Sequence, residues 1–311
     1  MYLHIVDLSN ALYAGMSSNK WVSRGVREVN GEWEANQAHV GAILFSLKIL
    51  REMMGPESVV IPVIERTPHI KRKMYEEVTG DEYGYKAGRK EKPAHFDDIK
   101  DYLEWVLRDL GFPVQYAEGY EADDIIYTLV ELYKNDFEKI FVHTKDSDLY
   151  FLVSDNVEIA KVGEQGKVIT LENYSRVVAK DVYMWYNTIH LSKLYKGDSS
   201  DNIPGIGKEW APRIDALISE EDYPKLGNLD LVRSYLRKAS IEYAECAGSH
   251  LLVPIFNLVV PLKVPEELLD LDEYDVDKYK LDDYYLRGFD QKADKWNLDE
   301  KLRDYIDKFY E

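Results

Sequence analysis

The residues of this chain best suited to chemistry are carboxylates. Gly119 to Val130 reads GYEADDIIYTLV and sets Glu121, Asp123 and Asp124 at the mouth of an apolar run with helical spacing. Further acids follow other apolar runs: Asp7 after HIV, Glu65 after VIPVI, Asp146 and Asp148 after IFVHT, and Asp198 with Asp201 before NIPGIG. Singly, each has a plain structural explanation, since acids at a helix start suit its dipole and strand-end acids suit turns. Together they raise an electrostatic problem. Two carboxylates ~4 Å apart repel by roughly 4 kcal/mol at an effective dielectric of about 20. A site with six or more must stay protonated or recruit cations, and carboxylate and water ligands suit Mg²⁺ and Mn²⁺. The seven histidines are scattered without zinc spacing. On a helix Glu121 and Asp124 share a face and Asp123 points elsewhere. Glu121 and Asp123 are therefore expected to meet metal from the pre-helical turn that Gly119 permits, with Asp124 reaching through water.

The elements that must position these acids follow from periodicity. Leu3 to Ser9 is a short apolar run, read as a buried strand ending at Asp7. Ala38 to Met54 has helical spacing and stops at Gly55-Pro56, and Ser58 to Glu65 is a β-branched strand. Phe96 to Gly111 reads as a helix, Glu138 onward as another strand, and Val157 to Val162 as one more. Strands alternating with helices predict an α/β core with a largely parallel sheet, whose ligands bind beyond the carboxyl ends of the strands. Past about Lys180 helical signals take over. The predicted organisation is an α/β core over 1–180 containing a polar segment over 66–93, a helical region over 181–264 and an acidic segment over 265–311.

Composition bounds the partners. The net charge of −18 over 311 residues argues on average against nucleic acid, but the charge is uneven. Pro265 to Glu311 has sixteen acids against eight bases, whereas Arg66 to Lys92 has eight bases against five acids. The single cysteine, Cys246, forms no internal disulfide and suits a reducing compartment. The start MYLHIVDLSN lacks signal-peptide features and no apolar run approaches ~20 residues, so a cytoplasmic protein without membrane contact is expected.

In the order VDLSN, YKAGR, EADD, TKDSD and GDSSDNIPGIG, the chain resembles the 5′-nuclease family: flap endonucleases, the 5′-nuclease domain of bacterial DNA polymerase I and phage 5′-3′ exonucleases with RNase H activity. The resemblance covers about residues 1–215, and the size suits a stand-alone phage-type member. It implies a PIN-like α/β fold with a central, mainly parallel sheet, a helical arch over 66–93 and a C-terminal helix-hairpin-helix region that holds duplex DNA. By motif, Asp7, Glu121, Asp123, Asp124 and Asp146 would build a first metal site, and Asp146, Asp148, Asp198 and Asp201 a second. Glu65 stands where the family usually has Asp and joins the metal set on that ground. Lys86 and Arg89 match the catalytic basic pair, acting with Asp7, Asp123 and Asp146, while Tyr85 is placed to stack on a base.

Arg72, Lys73, Tyr85, Lys86, Arg89, Lys196, Gly205, Gly207 and Lys208 form the implied DNA-binding set, with Lys193 and Arg213 nearby. Glycines in the Pro204 to Gly207 turn would let backbone approach phosphate, and Tyr75, Tyr83 and Tyr85 would offer stacking surfaces. The insertion EEVTGDEYG enlarges the arch. The implied cofactors are two Mg²⁺ or Mn²⁺, with K⁺ at the hairpin turn. The implied activity is hydrolysis at 5′ flaps, 5′ ends of DNA and RNA primers on DNA, in replication and repair. The implied partners are such DNA, RNA–DNA hybrid, single-stranded DNA-binding protein, sliding clamp or polymerase, bound by a monomer. Two alternatives remain: a DNA-binding replication factor with a decayed nuclease core, and a PIN-type ribonuclease on single-stranded RNA.

Overall fold

A computed structural model describes residues 1–18, 27–29, 32–34, 37–92, 96–162, 164, 167–174 and 189–270. Its centre is a five-stranded sheet built from β1 (Tyr2–Asp7), β4 (Ser58–Val63), β5 (Lys139–His143), β6 (Val157–Ala160) and β7 (Val168–Ile169), ordered β4-β1-β5-β6-β7. The first four strands are parallel and β7 is antiparallel. A separate hairpin pairs β2 (Arg27–Val29) with β3 (Glu32–Glu34). β1 reads as a nearly continuous apolar run because both of its faces are covered. Leu3 and Ile5 lie in one core cluster and Val6 in the other, all fully buried.

Helices α1 (Leu8–Ser18), α2 (Gln37–Met53) and α4 (Phe96–Asp109) supply the core on the Val6 face, through Leu12, Leu47 and Leu103. Gly111, at φ 82°, stands just beyond α4, as its glycine terminator predicts. On the other face, α5 (Ala122–Tyr133) buries Ile125, Ile126, Leu129 and Val130. The same cluster continues without a break into Trp210, Leu236 and Phe256. These come from α7 (Trp210–Asp215), α8 (Leu229–Glu242) and α9 (Leu252–Val259), which follow α6 (Ile189–Lys196). The apolar content after residue 188 therefore belongs to the sheet's own core. The expected boundary near residue 180 lies outside the described residues, as does the acidic segment from 271 onward.

Two sequence readings are revised. The second predicted strand ends at Val63 rather than Glu65, because the chain turns toward Gln115 there and Ile64 N donates to Gln115 O at 3.0 Å. The KDSD turn opens a 3₁₀ helix, Ser147–Leu152, with Asp146 as its N-cap. Within the GDSSDNIPGIG segment, read as a turn, β8 (Gly197–Asp198) pairs antiparallel with β9 (Ile203–Pro204), and helix resumes at Trp210. Among the described residues no helix is long and apolar enough to cross a membrane.

The packing of α1 on α2 yields a test. A Cβ on Gly15 would lie 3.1 Å from Ala42 Cα and 3.2 Å from Phe45 Cβ. Gly15→Val should force the helices apart and cost about 1–3 kcal/mol, read as a lower denaturant midpoint with an unchanged slope. An unchanged midpoint would show that this contact yields freely.

Candidate active site

β1 lies between β4 and β5, so the connections leaving it run in opposite directions and a crevice opens at the carboxyl ends of β1 and β5. Asp7 ends β1, and Asp146 and Asp148 follow β5. Glu121, Asp123, Asp146, Asp148, Asp198 and Asp201 line one small cavity with Lys71 and Arg89, of about 30 Å³. The topology thus gathers acids that lie far apart in sequence.

These acids divide by how their charge is met. Glu121 is the N-cap of α5, with its carboxylate between Lys71 Nζ at 3.2 Å, Lys86 Nζ and the Tyr85 hydroxyl at 2.9 Å. Burial alone would raise its pKa, but Lys71 and Lys86 outweigh that and hold it at about 2. Asp124 accepts from Glu121 N at 3.0 Å through Oδ2, the returning half of a capping box. Its Oδ1 accepts from Leu262 N at 2.7 Å and pairs with Lys71 at 3.2 Å. Lys193 bridges Asp148 and Asp198, and Arg89 pairs with Asp201. Burial also disfavours charge on Lys71, but Asp124, Glu121 and Asp123 more than restore it and raise its pKa.

Asp7, Asp123 and Asp146 have no ion-pair partner among the described residues. Asp7 is held by neutral donors: Asn10 N at 3.0 Å, Asn10 Nδ2, and Thr144 Oγ1 at 3.2 Å. Among the described residues, Asp146 accepts only from Asp148 N, at 2.9 Å. Burial, then repulsion from Asp146, Asp7 and Glu121, drives the Asp123 pKa well above the carboxylate range. Asp7 is raised by burial and by Asp146, against its hydrogen bonds. Asp148 is raised to about 6 by burial and Asp146 in spite of Lys193. Among the described residues no three acidic, histidine or cysteine side chains already form a ligand cage. An uncompensated, all-oxygen cluster is nevertheless the donor set that a hard divalent cation requires.

Several expectations change. Asp123 lies inside the first turn of α5 rather than before it, and only Glu121 is pre-helical. Asp124 directs both oxygens to backbone donors of the protein, which gives it a structural duty beside the water-mediated metal role expected of it. Glu65 lies two residues past β4 and, like Asp7 at the end of β1, stands outside the cavity lining. Its pKa is raised by burial, with Lys86 and Glu121 as its strongest charged neighbours. Tyr85 and Tyr75 are buried, with ring centroids 5.8 Å apart, so neither offers an open stacking face. Tyr83 is 79% exposed and does.

The turn glycines also have a different duty. A Cβ on Gly205 would strike Tyr195 O and come within 2.5 Å of Gly197 N, so alanine there would disturb the β8 backbone that carries Asp198. The close approach it permits is to its own chain. Gly207, at φ 100°, serves the turn conformation. Arg72, Lys73, Arg89, Lys196 and Lys208 are exposed, and Lys86 is half-buried.

Sequence reading missed a latch between the arch segment and the Asp201 turn. Lys86, at φ 61°, donates its N–H to Asp201 O at 3.0 Å, and Tyr75 donates its hydroxyl to Asn202 O at 3.0 Å. Asn202 Nδ2 returns to Gly84 O at 3.1 Å. The buried Lys71 was missed too; its only signal was a lysine beginning an otherwise exposed basic run. Asn10 and Thr144 were readable as polar residues spaced around Asp7 and within TKDSD.

Comparison with known proteins places this geometry. Residues 7–182 match the family described as 5′-3′ exonuclease, N-terminal resolvase-like domain. DNA polymerase I of Caldicellulosiruptor bescii is 32% identical over 204 residues, which are 64% of this chain and 23% of that protein. The corresponding figures for Chloroflexus aurantiacus DNA polymerase I are 36% over 203 residues, 61% and 21%. The chain thus spans only about a fifth to a quarter of the length of these polymerases. A 5′-3′ exonuclease of Mycoplasmopsis pulmonis is 25% identical over 227 residues, 71% of this chain and 72% of that one. Among solved structures, bacteriophage T5 D15 flap endonuclease in complex with DNA and metal ions shares the fold at a TM-score of 0.51 and 17% identity, covering 83% of this chain and 89% of that one.

Two tests follow from the electrostatics. Lys71→Met would leave Glu121 and Asp124 without their buried counter-ion and should cost about 3–5 kcal/mol in a denaturant titration; a loss below about 1 kcal/mol would contradict the pairing. The Asp148 pKa is raised in the fold from 3.8 to about 6, so its stabilising contribution is present below pH 3.8 and is lost as pH rises toward 6. Added Mg²⁺ should therefore raise the melting temperature more at about pH 7.5 than at about pH 5.5, where protons compete for the cluster. Equal shifts at both values would contradict this coupling.

Proposed function

The chain belongs to the 5′-3′ exonuclease family, and from that membership we propose that it is a metal-dependent, structure-specific 5′-nuclease acting on 5′ flaps, 5′ ends of DNA and RNA primers paired to DNA. The observation that carries the reading is the uncompensated set Asp7, Asp123 and Asp146 beside Lys86 and Arg89. A structural acid cluster has no need of three adjacent carboxylates, one buried and two half-buried, without counter-charge. A phosphodiesterase does, because its substrate arrives with cations.

In this proposal Asp7, Asp123 and Asp146, with Glu121, hold the first cation, while Asp146, Asp148, Asp198 and Asp201 hold or water-link the second. Two Mg²⁺ or Mn²⁺ ions would neutralise the scissile phosphate and acidify the attacking water when bound. The remaining work falls to the chain's own residues. Asn10 and Thr144 fix the Asp7 carboxylate in one orientation. Lys193 and Arg89 neutralise Asp148, Asp198 and Asp201 until those carboxylates are engaged, and are then released toward the phosphate. Lys86 donates positive charge where the transition state becomes more anionic. The turn from Ile203 to Gly207, with Lys196 and Lys208, contacts duplex backbone, and its carbonyls provide the K⁺ site. The three-part division of the chain, a cytoplasmic location and a replication role with polymerase, clamp or single-strand-binding partners belong to the same proposal.

A labelled 5′-flap duplex with Mg²⁺ should yield a short 5′ product ending in a 3′-hydroxyl. No cleavage by folded protein at any Mg²⁺ or Mn²⁺ concentration would sink the reading. Asp123→Asn should lower cleavage by about a hundredfold or more while raising the melting temperature of the metal-free protein, since it removes an acid whose ionisation burial and neighbouring acids oppose. A fall in both would assign Asp123 to the fold rather than to the reaction.

A further inference from the structure

The chain after α9 follows a fixed path. Leu262 N–H is held by Asp124 and Val264 N–H by Thr128, and the described path ends at Asp270. Gln115, fully buried, grips that last point as a strand partner would. Its Nε2 donates to Asp270 O at 2.8 Å, and its Oε1 accepts from Asp270 N at 3.0 Å. The Asp270 carboxylate stands 3.9 Å from Arg108 Nη1. Residues 271–283, LDEYDVDKYKLDD, therefore start beside Arg108, and they carry six carboxylates against Lys278 and Lys280.

Arg108 lines an open cleft of about 760 Å³ with residues of the chain entering α3 (Ile70–Thr79) and of α4. The cleft holds cations in excess. Glu104, only 4% exposed at its side chain, accepts from Arg66 Nη2 at 2.8 Å and from Arg108 Nε at 2.9 Å. One carboxylate thus locates two guanidinium groups and neutralises only one. Asp97 likewise meets Lys92 at 2.8 Å and Lys100 at 3.2 Å. With Arg72 the lining has five cations against three carboxylates, in a chain of net charge −18. Trp105 stands among them, 40% exposed.

Segment and cleft are complementary in charge and adjacent in space. Thirteen residues extend to ~45 Å at most, which exceeds the ~30 Å diameter of a small domain. A tethered segment also competes at an effective concentration in the millimolar range, so ion pairs that are individually weak suffice. Leu271, Tyr274 and Val276 are interleaved with the acids and would cover Trp105. We infer that residues 271–283 dock in this cleft, with carboxylates on Arg66, Arg72, Lys92 and Arg108, as an intramolecular polyanion. An acidic segment that served only solubility would need neither the Gln115 grip nor a start beside Arg108. The docking stands without the 5′-nuclease reading, but its consequence rests on that reading. Arg72 follows Lys71, which touches Glu121, so a segment seated here competes with nucleic acid at the border of the carboxylate site.

The test uses the full chain throughout. A carbodiimide, which joins an amine to a carboxylate in contact with it, should couple Lys92 to an acid within 272–283, as mapped by mass spectrometry, and about 1 M NaCl should abolish that coupling. In a second arm, a labelled peptide of sequence 271–283 is titrated by fluorescence anisotropy at about 50 mM salt. The amidated chain carries Asp272→Asn, Glu273→Gln, Asp275→Asn, Asp277→Asn, Asp282→Asn and Asp283→Asn. It should bind the peptide about fivefold or more tightly than wild type, whose own segment fills the cleft. Adding Arg72→Ala and Lys92→Ala should remove that gain. A control chain with six exposed acids amidated elsewhere (Asp155, Glu172, Glu220, Glu221, Glu242 and Glu245) should bind like wild type. Equal peptide affinity for the amidated chain and wild type, a gain shared by the control, or no Lys92 coupling would each overturn the docking. Should the amidated chain fail to fold, the wild-type coupling decides. On a labelled 5′-flap duplex with Mg²⁺, the amidated chain should show a lower KM at unchanged kcat, and an unchanged KM would overturn the competition. No cleavage by either chain would remove the nuclease reading and leave the docking standing.

Discussion

Mutual repulsion among buried carboxylates is the constraint around which this molecule is organised. Parallel strands deliver Asp7 and Asp146 to one edge, α5 delivers Glu121, Asp123 and Asp124, and the β8 turn delivers Asp198 and Asp201. Charges this close cannot share a low-dielectric crevice unaided. The chain answers with its own cations. Lys71, Lys86, Lys193 and Arg89 each enter from outside the sheet, and each meets one or two of the acids. Five carboxylates are covered in this way and Asp7, Asp123 and Asp146 are left.

The same pairings hold the parts of the fold to one another. Asp124 caps α5 and takes the N–H of Leu262, while Thr128, one turn along, takes the N–H of Val264 at 2.8 Å. The segment after α9 is thereby fixed to the helix that carries the acids. On the other side, Gly119 O receives the N–H groups of His69 and Ile70, both at 3.1 Å, so the start of α3 is set by the turn before Glu121. Gly119 has φ 83°, and a Cβ there would run into the His69 ring, which accounts for glycine at this position. Asn202 and Lys86 then close the arch segment onto the β8–β9 turn. Arch, sheet and C-terminal helices are thus joined at the acids as well as through the shared apolar core.

Much of this was legible in sequence. The strands and helices of the core have regular periodicity, and the acids appear where a parallel sheet brings strand ends together. The edge of the site could be read from Asp7 and TKDSD without coordinates. What could not be read is how each side chain is partnered. Asp123 and Asp124 are adjacent and chemically identical, yet one is an uncompensated acid and the other a structural bracket. The positions of Lys71 and Leu262, both distant in sequence, and the capping-box register distinguish them. Tyr85 looked like a stacking platform because it neighbours a basic pair. It packs inward instead, its ring 5.8 Å from that of Tyr75 and its hydroxyl donating to Glu121. Gly205 looked like a phosphate approach, and its neighbours are instead Tyr195 and Gly197. Local pattern specifies which residues reach an edge; long-range packing decides which of them remain available.

Under the proposed function, the division between covered and uncovered acids also lets an acidic protein meet a polyanion. A net charge of −18 repels DNA at long range, and a fully uncompensated crevice would repel it more strongly at contact. Internal lysines remove most of that local charge before any cation arrives. They do so with groups that can later face a phosphate: Lys86 and Arg89 lie between the acids and the arch, and Lys193 lies beneath Asp148 and Asp198. A crevice built from acids alone would depend on metal to fold. One neutralised in full would have no reason to bind it. Leaving Asp7, Asp123 and Asp146 uncovered places this chain between those limits, folded by its lysines and still short of positive charge at one point.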